Sequence, residues 1–289
     1  MDRRTFLTLA ACAPAACKRK RVVTVGSKND TEQAVLGEII AQQVERRLHT
    51  TVHRQLDLGG TQLTHQALLD RQIDIYVEYS GIALMEILHD PIGTEPSVVL
   101  ARVRQEYSRV MALEWMDPLG FDNPPLLAVR SRDANEHHLK TIGDASQVKG
   151  YWVLGASHEF LNRMDAYTSL MRGYPFEWAK APYSIEEKVL YKSIAENQVN
   201  MIAARSTDGA LPKSGLAALP DDKHVFPPYQ ACIVVRADAL HFFAGLREAL
   251  AELSGKISRE KMQQLNERVD VDGRRVAEVA AAFLNAGLK

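Results

Sequence analysis

The sequence lacks a charge bias. Its 289 residues carry 35 basic and 36 acidic side chains, for a net charge of −1. No long-range field gathers nucleic acid, so a nucleic-acid partner is not expected. Cysteine is scarce, and Cys12, Cys17 and Cys232 are the complete set. The first two sit near the N-terminus, which leaves one thiol in the body and no internal disulfide. Ala231-Cys232-Ile233-Val234-Val235 reads as a buried strand, with Cys232 as a small core residue rather than a nucleophile. Beyond the N-terminal leader, no stretch approaches the ~18 apolar residues needed to span a bilayer. Any membrane-crossing partner is therefore another polypeptide. Tandem repeats and low-complexity tracts are also missing.

The usual chemical signatures are absent too. His158-Glu159-Phe160-Leu161-Asn162 lacks the second histidine of a zinc-protease helix. Gly59-Gly60 has no lysine at the spacing of a phosphate loop. Asp270-Val271-Asp272-Gly273 opens like a calcium loop but lacks the later ligands, and reads as helix capping. No Ser–His–Asp or Cys–His set emerges. The expectation is a protein with no catalytic residue, metal or cofactor.

What is present begins with a leader. Arg3-Arg4 precedes the apolar run Phe6 to Ala11, the pattern of an export signal. Leu9-Ala10-Ala11-Cys12 resembles a lipobox, and Pro14-Ala15-Ala16-Cys17 is a second candidate. Lipid attachment at Cys12 or Cys17 would tether an exported chain to a membrane. Lys18-Arg19-Lys20-Arg21 would then sit beside anionic headgroups.

The body contains ordinary globular proportions, 46% apolar and 25% charged residues. Val22 to Val25 reads as a strand ending at Gly26-Ser27. Asp30, with Gln33 three residues on, predicts a helix start. Val35, Leu36, Ile39, Ile40, Val44 and Leu48 then form one apolar face. Strands at 52–56 and 73–79 flank a helix near 62–71, giving a β-α-β-α-β unit with a parallel sheet. Pro118 to Pro125 breaks the pattern. A second α/β unit follows, with a strand at 126–129, another at 151–155, helices at 158–172 and 185–196, and a strand at 199–204. Phe226-Pro227-Pro228-Tyr229 is a second breaker, after which the chain returns through the strand at 231–235. Two α/β lobes joined by two crossings predict a ligand cleft and hinge closure. The expected partition is a leader at 1–20, lobe one at 21–121 and 230–289, and lobe two at 122–229.

Nine local strings follow one another in an order that resembles a known family. They include Val25-Gly26-Ser27-Lys28-Asn29, Leu58-Gly59-Gly60-Thr61, Asp74-Ile75-Tyr76-Val77-Glu78-Tyr79-Ser80-Gly81, Ser206-Thr207-Asp208-Gly209 and Pro227-Pro228-Tyr229. The chain is similar, from about Arg21 to Lys289, to the glycine betaine/carnitine/choline-binding proteins of ABC importers. That resemblance implies a two-lobed α/β periplasmic-binding-protein fold of type II. It implies capture of an osmoprotectant zwitterion and delivery to an ABC permease with its ATPase. A ligand-sensing domain of the same fold, serving a signalling partner, is the alternative. Carried over by position, Lys28, Gln33, Thr61 and Arg163 match the carboxylate side. Tyr79 and Tyr229 match tyrosines of the family's cation cage, and Asn123 matches a crossover position. Pro125 and Arg205 stand where cage tyrosines are usual. If Arg205 faces the cleft, the cation end is rebuilt and the ligand preference altered. Otherwise Phe121, Trp178 or Tyr183 would complete the cage. Glu78 shares a strand face with Tyr76 rather than Tyr79, and reads as structural or as a permease contact.

Overall fold

The computed structural model describes residues 21–287, so Cys12, Cys17 and the rest of the leader lie outside the described residues. Two five-stranded sheets carry the molecule. The first is ordered β2-β1-β3-β10-β4 and the second β7-β6-β8-β5-β9. In chain order these strands are β1 (Thr24–Gly26), β2 (His53–Gln55), β3 (Ile75–Tyr79), β4 (Leu113–Trp115), β5 (Pro125–Arg130), β6 (Leu154–Ala156), β7 (Tyr183–Ser184), β8 (Met201–Arg205), β9 (Leu216–Leu219) and β10 (Ala231–Arg236).

The parallel pairing of β1 with β2 and β3 follows from helical crossovers α1 (Thr31–Leu48) and α2 (Thr61–Leu69). Strand β10 returns after the second sheet is complete and lies antiparallel between β3 and β4. Strands β3 and β10 are buried along their whole length, which explains their near-continuous apolar sequence. Glu78 is the exception in β3, and it is fully buried. That burial corrects the permease-contact reading of Glu78, because a partner cannot touch it. Cys232 is buried in β10 and its thiol is pushed up to about 12 by desolvation, as suits a core residue.

The predicted helix over 158–172 is interrupted. Arg163 is extended (φ −80°, ψ 139°) between the helix His158–Asn162 and a wide turn Met164–Thr168. Residues two apart point to different faces of a helix. The extended Arg163 instead grips Asp165, donating from Nε at 2.9 Å. The string Asp270 to Gly273, read as helix capping, closes the C-terminal end of the helix Arg259–Asp270, with Asp272 N donating to Glu267 O at 3.1 Å, but supplies no side-chain cap to the helix that follows. The Asp270 carboxylate accepts from Thr31 Oγ1 at 2.6 Å.

Gly209 packs so tightly on the helix Arg259–Asp270 that an added Cβ would overlap the backbone of Asn266 and Glu267. Backbone cannot move aside as a side-chain tip can. Gly209→Ala is expected to cost about 1–3 kcal/mol in urea unfolding. An unchanged midpoint would contradict this packing.

Candidate functional site

A cleft of about 590 Å³, open mouth included, lies where the C-terminal ends of β1, β3 and β8 approach one another. Six residues singled out from sequence line it: Lys28, Tyr79, Asn123, Arg163, Arg205 and Tyr229. Two do not. Thr61 stands behind Lys28, accepting from its Nζ at 2.9 Å and donating to Glu159 Oε1 at 3.4 Å. Gln33 is buried in the first turn of α1 and its amide finds no hydrogen-bond partner among the described residues. Pro125 lines the wall, paired in register with Arg205. The aromatic beside the two tyrosines is Phe160. Phe121 is core, Trp178 stacks on Phe176 at 4.4 Å, and Tyr183 is exposed, so none of the three completes a cage.

Each cation of the cleft has a carboxylate. Lys28 Nζ lies 2.5 Å from Glu78 Oε1. Burial pushes the Glu78 carboxyl up and the Lys28 ammonium pulls it back. Arg163 pairs with Asp165 through two nitrogens and reaches Glu159 at 3.3 Å. Arg205 does face the cleft: Nη1 sits 3.3 Å from Asp30 at the start of α1, and Nη2 sits 2.9 Å from Glu187. Asp30 is therefore both the cap of α1, accepting from Gln33 N at 2.8 Å, and an ion-pair partner across the cleft.

Asp30, Glu159 and Glu187 line the same cleft. Sequence reasoning missed all three as site residues. In the sequence Asp30 reads as a helix cap, and Glu159 sits in a string that lacks the second histidine of a zinc motif. Burial pushes the Glu159 carboxyl up, but Arg163, Lys28 and Arg205 outweigh it and hold the group below its usual range. Glu187 goes the other way: desolvation pushes it up to about 7 despite Arg205.

The tyrosine hydroxyls are also committed. Tyr79 donates to Glu32, and Tyr229 donates to Asp165 at 2.5 Å. Their rings lie near protein cations, with Lys28 Nζ 5.5 Å from the Tyr79 centroid and Arg163 Cζ 5.9 Å from that of Tyr229. The lining thus alternates cation and carboxylate, a pattern that accepts both poles of a zwitterion. Among the described residues, no histidine or cysteine lines the cleft, and no group of three or more metal-ligating side chains forms.

Residues 21–286 match the family described as the substrate binding domain of ABC-type glycine betaine transport system. The chain is 31% identical over 283 residues to the ergothioneine transport permease/ergothioneine binding protein EgtU of Helicobacter pylori, covering 96% of this chain but 50% of that protein. The chain thus spans about half the length of that relative. It is 28% identical to the carnitine transport binding protein OpuCC of Listeria monocytogenes, covering 96% of this chain and 91% of that one. A solved glycine betaine/carnitine/choline ABC transporter structure superposes with a TM-score of 0.78 at 26% identity, covering 91% of this chain and 98% of the other.

Proposed function

The chain belongs to the family of substrate-binding domains of ABC-type glycine betaine transport systems, and on that premise we propose that it captures a small zwitterion between its lobes for import. The ligand carries a carboxylate and a quaternary ammonium, the class named for the carnitine-binding relative and in the family's glycine betaine description. The observation that carries the reading is the mixed-sign cleft with Arg205 inside it. An arginine beside the cation pole disfavours a bare trimethylammonium. It favours a larger zwitterion with a further polar group for the guanidinium to hold. The carboxylate end falls to Lys28 and Arg163, with Thr61 supporting Lys28 from behind and Asn123, Tyr79 and Tyr229 lining the cleft beside them. The buried Gln33 amide, unpartnered among the described residues, is left free for the ligand. Calorimetric titration with glycine betaine, carnitine, choline and ergothioneine tests this. Saturable one-to-one binding of at least one zwitterion, with choline weakest because it lacks a carboxylate, is expected. Heat from none of them would contradict the reading.

The partner in transport is an ABC permease with its ATPase. Support comes from a relative whose own name joins permease and binding protein. Among the described residues, no helix is long and apolar enough to cross a membrane. An exported chain tethered by lipid at Cys12 or Cys17 fits such a partnership. Palmitate labelling should vanish when both cysteines are changed to serine, and labelling that survives would rule the tether out. The lobes divide at the two crossings, with residues 21–121 and 230–289 in one and 122–229 in the other.

The Glu187 carboxyl, at about 7, gives the site a pH response. Ionised, it holds one arm of Arg205. Protonated, it releases that arm to the ligand's anionic or polar group. Ligand binding and proton uptake are then linked, so affinity should rise as pH falls from about 8 to about 6. Glu187→Gln should bind at the higher level throughout that range. A flat profile in the unaltered protein, or the same slope in Glu187→Gln, would contradict the linkage.

A further inference from the structure

Glu32 sits one layer behind the cleft, on the first turn of α1, and is almost wholly buried. Four donors converge on its carboxylate. The Tyr79 hydroxyl and Asn123 Nδ2, at 2.9 Å, reach Oε1. Thr207 Oγ1, at 2.5 Å, and Asn266 Nδ2, at 2.9 Å, reach Oε2. The two amides donate through these nitrogens, one to each oxygen, and the two hydroxyls can donate to the sites that remain, so the pocket supplies four donors to an ionised carboxylate. Among the described residues, no lysine or arginine nitrogen comes within ion-pairing distance of Glu32, whereas the Lys28 and Arg163 charges are each met directly by a carboxylate. Burial leaves the Glu32 carboxyl above its usual range, and the Thr207 and Tyr79 hydrogen bonds counter only part of that push. A buried negative charge without a counter-ion is costly unless something else uses it.

We propose that Glu32 is a specificity-determining residue, whose buried charge draws the ligand's quaternary ammonium to the Tyr79 side of the cleft without touching it. Two routes act together. The charge attracts a cation through a low-dielectric wall, where Coulomb energy is larger than in water. The hydrogen bond from the Tyr79 hydroxyl to a carboxylate also enriches the ring in electron density, strengthening its attraction for a cation. Glu32 further positions the tyrosine, and it ties Asn123 of one crossing to Thr207 and the helix Arg259–Asp270. That second duty is structural, so the two must be separated by experiment.

This inference rests on the functional reading above, that the ligand is a quaternary ammonium zwitterion. The test compares carnitine and glycine betaine with their carbon isosteres, in which a quaternary carbon replaces the ammonium nitrogen. The isosteres keep shape and carboxylate and lose only the positive charge. Calorimetry of the unaltered protein should favour each ammonium over its isostere. Glu32→Gln keeps the shape and removes the charge, and should cut ammonium affinity about tenfold while changing isostere affinity less than about twofold. Tyr79→Phe keeps the ring, breaks its link to the charge, and should move the same ratio in the same direction. It serves as the readout if Glu32→Gln fails to fold in a thermal melt. Equal loss of ammonium and isostere in either variant would reduce Glu32 to a hinge brace and overturn the proposal. An unaltered protein that binds no quaternary ammonium would overturn the functional reading itself, and the role of Glu32 with it.

Discussion

Lys28→Met is expected to destabilise the chain by about 3–5 kcal/mol in urea unfolding. Lys28 and Glu78 are only 3% and 0% exposed, and their contact is 2.5 Å. Without the ammonium, Glu78 keeps the Tyr79 backbone N–H at 2.8 Å and the Tyr76 hydroxyl at 3.3 Å. Neither neutralises a charge in the middle of a buried sheet. Adding Glu78→Gln to Lys28→Met removes the orphan charge, so the double variant should recover most of the lost stability. It should not recover the ligand, because the ammonium is still missing. This separation of stability from binding is what a cleft cation predicts. Loss below about 1 kcal/mol in the single variant would contradict the pairing.

Arg163→Ala is expected to weaken zwitterion binding about ten- to a hundredfold, the worth of one charge-assisted contact to a carboxylate. It should also destabilise the fold by a few kcal/mol, roughly as for any broken buried pair. The Asp165 carboxyl, held low against burial chiefly by Arg163, would be left with the Tyr229 hydroxyl at 2.5 Å. Arg163→Lys keeps the charge but not the two-nitrogen grip on Asp165, and should fall between the two. Wild-type affinity in Arg163→Ala would remove this residue from the site.

Periodicity made the first lobe legible. The apolar face of α1 and the β-α-β-α-β order follow from spacing alone, because those elements bury one continuous stripe or two faces. The edge strands β4 and β9 escaped notice. Leu113-Glu114-Trp115 is too short to display a period, and Leu216-Ala217-Ala218-Leu219 is too weakly patterned. The break at Arg163 was invisible for a different reason: it depends on one ion pair to Asp165, and a single contact leaves no period.

At the site, cations were easier to find than their partners. Lys28, Arg163 and Arg205 stand in recognisable strings, or conspicuously replace an expected tyrosine. Asp30 meets Arg205 only after β8 and α1 are brought together across the cleft, from 175 residues apart, and Glu187 meets it from another segment. Glu159, by contrast, is an i,i+4 neighbour of Arg163 hidden inside a string with another reading. Glu32 lies in the Thr31-Glu32-Gln33 string, yet its four donors come from four distant segments. No local pattern could report such convergence. Glu78, by contrast, was readable: strand alternation puts it on the face of Tyr76, and the two side chains are hydrogen-bonded.

The most direct test of a rebuilt cation end is parallel calorimetry of the unaltered protein and Arg205→Tyr against glycine betaine, carnitine and ergothioneine. Arg205 lies inside the cleft with its charge shared between Asp30 and Glu187. Glycine betaine should therefore bind weakly to the unaltered protein and about tenfold or more tightly to Arg205→Tyr, where an aromatic face replaces a like charge. A larger zwitterion held by Arg205 should lose affinity in the same variant. Tight glycine betaine binding by the unaltered protein, unmoved by Arg205→Tyr, would contradict the account.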